Sequence, residues 1–394
     1  MDTPLTDAAW PAVIGAILAA VWLAGAWHLS NRIRRRVLEP AARGDTRPLE
    51  VLEVESDRVT LGVLPETGRS RRWRQEGLWG LRWPEGYAQA GRILNLRSRQ
   101  VTRCLRLLHG DLAPGTRVRL TSFAFPDDPG DGFGLPVRPL RFHSPLGRFP
   151  AWLVPGSRST WVIFVHGKRA APPSGALRSY PLLKVVADLG FPGLVISYRN
   201  DPEAEPAPDG LHWYGLTEWE DLEGAARHAL ESGAEKLILV GYSMGGCVVM
   251  SFLRQSDLAP SVRGVILDSP VLDLEATLKF AARNQGYPGI FYHAAKTLAR
   301  ARFGIPWRKL NYLRDTGYLH APTLVFHGDA DTLVPLRTSR QLTRSRPDLV
   351  RCVEVPGATH GRAWNLDPHR YEEITREFLE SVASGQLLSR TVRR

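Results

Sequence analysis

Residues 239–246 read LVGYSMGG, and the reading of Ser243 within them decides the fold. The serine stands between Gly241 and Gly245, after the apolar run KLILV (236–240) and ahead of MGGCVVMSFLRQ (244–255). The run has the length and composition of a buried strand, and the second stretch that of an apolar helix. A G-x-S-x-G turn between strand and helix is so sharp that its neighbours must be almost without side chains. Gly241 and Gly245 meet that need, and Gly246 lets the helix approach closely. Such a turn lifts the Ser243 hydroxyl clear of the sheet. It also aims the Met244 backbone N–H, near a helix N-terminus, at the point where an oxyanion would develop.

A serine hydroxyl needs a base, and the base needs an orienting acid. His360, in VPGATHGRAWN (355–365), falls in a loop after the last strand and before a final helix at about 366–384, so it is the expected base. His327 and His166 end strands and read as structural, while His369 falls on the exposed side of the final helix. HGDADTLVP (327–335) offers two carboxylates after the strand TLVF. Asp331 is the expected acid, with Asp329 bracing the loop; Asp268, after the strand GVIL, is the rarer alternative acid site. The loop HGKRA (166–170), after the strand WVIFV, should supply the second oxyanion donor. Gly167 permits its turn and the Lys168 backbone N–H is the expected donor. The Lys168 ammonium reads either as a solvated charge or as a contact for an anionic substrate group.

From about residue 137 short apolar runs alternate with helical stretches, which predicts a parallel sheet with crossover helices. The expected strands are 161–165, 193–197, 236–240, 264–267, 323–326 and 352–355, opened by an antiparallel hairpin in RFHSPLGRFPAWLVPG. Thr217 and Glu220, three residues on, form a capping box ahead of a helix in TEWEDLEGAARHALES (217–232). Residues 271–316 are too long for a simple crossover and predict a small helical cap. Its Phe280, Tyr287, Phe291, Tyr292, Phe303 and Trp307 either line an acyl pocket or form the cap's own core.

VHG (165–167), GYSMG (241–245), HGDADTLVP (327–335) and GATHG (357–361) occur in that order, and the order Ser…Asp…His matters. On these motifs the chain from about 137 to 385 resembles the α/β-hydrolase superfamily, in its serine-aminopeptidase-like or monoglyceride-lipase-like branch. SYRNDP (197–202) is similar to membrane-anchored bacterial hydrolases of this group. The resemblance implies an α/β fold, a mostly parallel sheet with helices on both faces and a small cap. It also implies a triad of Ser243, Asp331 and His360, with oxyanion N–H groups from Lys168 and Met244.

Ahead of that domain, Ala8 to Leu29 contains no Asp, Glu, Lys or Arg. At about 1.5 Å per residue, roughly 20 residues span a hydrocarbon core of about 30 Å. Trp10 and Trp27 lie near its ends, and NRIRRR follows. A cleaved signal peptide would need a basic stretch before the apolar run, whereas here the arginines come after it. The expectation is a transmembrane helix (8–29) in the cell membrane, single-pass, with the catalytic domain in the cytoplasm by the positive-inside rule.

Residues 30–120 hold 19 Arg, no Lys and 10 acidic residues, a local balance of +9 within a net charge of +11. No recognition motif accompanies this charge, so anionic headgroups are the expected partner rather than nucleic acid. A basic linker (30–48) leads to a small β-rich module (49–130), in which Trp73, Trp79 and Trp83 form either a core or a lipid-facing patch. PDDPGDGFG (126–134) reads as a solvated loop, and residues 387–394 as a basic tail after the hydrolase domain (137–386). Three cysteines do not make a disulfide framework.

Together these features predict a membrane-anchored serine hydrolase that cleaves a carboxylic ester, an acyl or lipid-like small molecule, through an acyl-enzyme. HExxH, CxxC and GxGxxG patterns are absent, so neither a metal nor a cofactor is expected. Two rivals are a serine peptidase on short peptides and a non-enzymatic membrane scaffold. The peptidase would need a carboxylate such as Glu218 or Asp201 to hold the substrate amine.

Overall fold

The computed structural model describes residues 9–40, 48–65, 72–126, 134–168 and 176–385. The expected basic tail, most of PDDPGDGFG and the centre of the linker lie outside these residues.

An eight-stranded sheet carries the large domain. Its strands are β7 (Arg138–Ser144), β8 (Gly147–Val154), β9 (Thr160–Val165), β10 (Gly193–Ile196), β11 (Lys236–Tyr242), β12 (Val262–Asp268), β13 (Thr323–Gly328) and β14 (Val350–Val355). Their order is β14-β13-β12-β11-β9-β10-β8-β7, with the last two joining antiparallel and the rest parallel. The six apolar runs and the opening hairpin therefore form the strands expected of them. Central strands such as β9 and β11 are buried on both faces, which is why they read as unbroken apolar runs rather than as alternation.

Helices cover both faces. Helix α1 (Ala9–Ile33) precedes the sheet in sequence; α2 (Ala176–Asp188), α3 (Trp219–Glu231), α4 (Met244–Gln255), α5 (Leu274–Asn284), α6 (Gly289–Phe303), α7 (Leu336–Ser345), α8 (Ala363–Leu366) and α9 (Pro368–Ser384) follow. The capping box is a correction. Helix α3 begins at Trp219 with Glu218 at its cap and no side-chain cap bond. Glu220 instead accepts from Arg199 at 2.8 Å, because the buried guanidinium needs more acceptors than Asp221 alone supplies.

The β-rich module is a closed six-stranded barrel: β1 (Pro48–Val54), β2 (Arg58–Val63), β3 (Trp79–Trp83), β4 (Gly86–Leu96), β5 (Gln100–His109) and β6 (Arg117–Thr121). β1 pairs with both β2 and β6, so the sheet closes and leaves no free edge. Trp73, Trp79 and Trp83 are 6%, 3% and 4% exposed and belong to the barrel core, not to a lipid-facing patch. Arg103 is buried beside them, and its guanidinium is spent on the backbone carbonyls of Gly91, Trp73 and Gln75.

Helix α1 is long and apolar enough to cross a membrane. It does not end where the apolar run ends. It continues to Ile33 and then winds as a π turn over Arg34–Leu38, so the first part of the expected basic linker is helical. Ile33, Val37 and Leu38 are buried in the main core of the large domain. Burying apolar side chains so fully contributes about 1.5–3 kcal/mol each, which explains why this stretch is docked rather than free.

The segment expected to form the cap carries two helices, α5 and α6, and α6 packs along α1. Phe291 lies against Gly25, where an added Cβ would sit 2.9 Å from its ring. Arg302 stacks on Trp27 at 3.4 Å and donates to Ser30 Oγ and Asn31 Oδ1. Arg32 and Arg34 lie over Tyr287 and Phe303. Thus Tyr287, Phe291 and Phe303 pack against the N-terminal helix. Tyr292 and Trp307 are buried, and Trp307 belongs to the main core of the large domain.

Candidate active site

Ser243 sits at the turn between β11 and α4 with φ 51° and ψ −109°, a strained conformation for a residue with a side chain. The turn is over-determined by its surroundings. Ser243 N–H donates to Asp268 O at 2.9 Å, and Val271 N–H donates to Ser243 O at 3.1 Å. A Cβ on Gly245 would lie 2.1 Å from Val165 O, and one on Gly241 would lie 2.9 Å from Gly245 O. Gly246 packs as closely on Pro270. The glycines expected from the motif are therefore required sterically.

Three side chains from three loops meet here. His360 Nε2 lies 2.9 Å from Ser243 Oγ, and His360 Nδ1 lies 2.7 Å from Asp331 Oδ2. The other carboxylate oxygen of Asp331 accepts from the backbone N–H groups of Leu333 and Val334 at 2.8 and 2.9 Å. Burial alone would raise the Asp331 pKa, but hydrogen bonds from His327, His360 and Val334 outweigh it. They hold the carboxyl well below the usual carboxylate range. The group is thus an anion that accepts from Nδ1 and leaves Nε2 to face the serine.

The two other carboxylates have different employment. Asp329 Oδ1 accepts from Gly357 N–H at 2.7 Å and braces the loop that carries His360. Asp268 accepts from Tyr371 OH at 3.1 Å and from Ser269 Oγ at 2.8 Å. Ser269 Oγ in turn accepts from Gly361 N–H at 3.0 Å, so Asp268 steadies the histidine loop from behind. His327 is buried between Ser339 Oγ and Val334 O, and His369 is exposed on α9.

The loop after β9 lies against the nucleophile. A Cβ on Gly167 would come within 3.1 Å of Ser243 Cβ and 2.9 Å of Tyr242 O. Met244 opens α4 directly after Ser243. Gly167 and Met244 thus flank Ser243. The half-buried Lys168 donates its ammonium to Arg36 O and Val37 O.

Sequence reasoning missed how that loop is held. His166 Nε2 lies 2.7 Å from Asp201 Oδ2, with both residues buried. Asp201 also accepts from Tyr198 N–H, and Tyr198 stacks on His166 at 4.3 Å. SYRNDP was visible in the sequence, but only the fold brings Asp201 beneath His166. Glu218 is fully buried and accepts from Trp213 N–H and Gly215 N–H at 2.7 and 2.9 Å. Neither Asp201 nor Glu218 is available to hold a substrate amine. Among the described residues, no group of three or more His, Cys, Asp or Glu side chains could hold a metal ion.

Residues 153–374 match the alpha/beta hydrolase family, and residues 50–121 match a domain of unknown function, DUF8805. The chain is 25% identical over 283 residues to the uncharacterized protein YfhR of Escherichia coli K12, spanning 68% of this chain and 90% of that protein. It is 23% identical over 187 residues to human protein ABHD12B, spanning 46% of this chain and 48% of that one. Among solved structures, the Pyrococcus furiosus esterase Pf2001 aligns with a TM-score of 0.49 and 18% identity, over 63% of this chain and 91% of that one.

Proposed function

The chain belongs to the alpha/beta hydrolase family, and from that premise we propose that it is a membrane-anchored serine hydrolase cleaving a carboxylic ester. The observation that carries this reading is the pair of contacts on His360, 2.9 Å to Ser243 Oγ and 2.7 Å to Asp331 Oδ2. Ser243 Oγ attacks the ester carbonyl as its proton passes to His360 Nε2. The oxyanion takes the backbone N–H groups of Met244 and Lys168. His360 returns the proton to the departing alcohol, leaving an acyl-Ser243. Water, deprotonated by His360, then attacks the acyl carbon and releases the acid. Proton transfer of this kind contributes roughly 10²–10⁴-fold, and each oxyanion donor about 10²–10³-fold.

The catalytic domain is read as cytoplasmic, because the arginines follow α1. An ester is favoured over a peptide, because Asp201 and Glu218, the two carboxylates weighed for a substrate amine, are already engaged by His166 and by backbone N–H groups. A scaffold would have no need of a histidine held between a serine and a buried carboxylate. Comparing p-nitrophenyl acyl esters with aminoacyl anilides tests the reading. Ester turnover well above anilide turnover is expected; the reverse preference would assign a peptidase.

A further inference from the structure

The last carbonyls of a helix have no partner within it, and a buried helix end must find donors elsewhere. The end of the N-terminal helix finds them in the hydrolase domain. Lys168 Nζ donates to Arg36 O at 2.9 Å and to Val37 O at 2.5 Å. The backbone N–H of His212 donates to Leu38 O at 2.7 Å. The turn is π-wound, with Glu39 N–H donating to Arg34 O, so these three carbonyls are left to outside donors. A cation at this position also meets the negative end of the helix dipole. Leu38, fully buried, fixes the turn in place.

The residue that caps this helix is the one whose backbone N–H is assigned to the oxyanion. Its loop lies against Ser243, so a shift of the Lys168 backbone would change the distance that matters. A second line of contact runs the same way. The His212 ring meets Tyr198 edge-on at 6.4 Å, and Tyr198 stacks on His166 and donates its OH to His166 O at 3.0 Å. Both lines start at residues 36–38 and end on the loop 166–168.

We infer that the juxtamembrane turn Arg34–Leu38 is part of the active site: through the Lys168 ammonium it positions the residue-168 backbone N–H, so full turnover requires the membrane helix to be docked. The Lys168 side chain is a positioning group and does not bind substrate. The inference rests on the serine-hydrolase reading above. It makes attachment and catalysis two readouts of one contact. A chain whose helix end is pulled away keeps Ser243, His360 and Asp331 but holds one oxyanion donor loosely.

The test uses the full chain in phospholipid nanodiscs, with p-nitrophenyl butyrate as substrate. Wild type is compared with Lys168→Met, Lys168→Gln, Lys168→Arg and Ser243→Ala, and the melting midpoint is followed in parallel. Lys168→Met should lower kcat by about 10- to 100-fold, up to the loss of one donor, with KM within about twofold. Lys168→Arg should recover most of kcat, because its guanidinium reaches the same carbonyls, and Lys168→Gln should fall between. That ordering decides the matter even if the Met variant does not fold. Wild-type turnover abolished by Ser243→Ala, with Lys168→Met or Lys168→Gln turning over as fast as Lys168→Arg, overturns the inference and leaves the hydrolase reading standing. A lower midpoint with unchanged kcat also overturns it. Turnover that survives Ser243→Ala, or none in wild type, overturns the hydrolase reading and this inference with it.

Discussion

Asn365 Nδ2 donates to Leu78 O at 2.7 Å and thereby ties the β-barrel to the segment that follows His360. The same amide donates to Ser122 O at 2.9 Å, and Asn365 O accepts from Leu78 N–H at 2.7 Å. Arg362 lies over Trp79 on the same seam. The barrel thus grips the chain within a few residues of the candidate base. Asn365→Ala removes two half-buried side-chain bonds and leaves two carbonyls short of a partner. A loss of about 2–4 kcal/mol is expected. Hydrogen exchange should speed up at residues 76–80 and 361–366 while strands β2 and β5 stay protected.

Asp201 and His166 form a buried pair under the loop 166–168. Removing one partner of such a pair strands the other, and Asp201→Ala should cost about 3–5 kcal/mol in chemical denaturation. Asp201→Asn keeps the shape but changes the hydrogen-bonding partner of Nε2. It should cost less stability, about 1–3 kcal/mol, and lower kcat more than it raises KM.

Asp331→Asn keeps the contact distance but removes the charge that fixes the His360 tautomer. Ester kcat should fall on the order of 10³–10⁴-fold. The stability effect has a defined sign with pH. The folded pKa of Asp331 lies below its unfolded value, so its contribution is present above about pH 4 and is lost as the pH falls below that. The stability gap between wild type and the variant should therefore close as the pH falls below about 4, as read by urea titrations from about pH 2 to 8.

Arg302→Ala tests the docking of α1 on the cap. It removes the stack on Trp27 and the bonds to Ser30 and Asn31. About 1–3 kcal/mol of local stability should be lost, seen as faster proteolysis at residues 285–289 between the cap helices in nanodisc-bound protein.

The sheet and the elbow were legible because their causes are local. The run KLILV must be buried, Gly241 and Gly245 must be bare, and both demands appear in the sequence itself. The distinction between Asp331 and its neighbours also had a local cause, since Asp331 accepts from Leu333 and Val334 two and three residues on. What was hidden depends on contacts distant in sequence. Lys168 meets Arg36 and Val37, Asn365 meets Leu78, and Phe291 meets Gly25. No periodicity announces such pairs. The false capping box shows the same limit, since Glu220 was drawn away by a buried Arg199 that the local pattern could not reveal.

Labelling with a fluorophosphonate probe tests most directly whether Ser243 is a nucleophile activated by His360. Wild type should take up one probe at Ser243, identified by peptide mass spectrometry, and both Ser243→Ala and His360→Ala should lose the label. Equal labelling of Ser243→Ala, or an unlabelled wild type, would contradict the account.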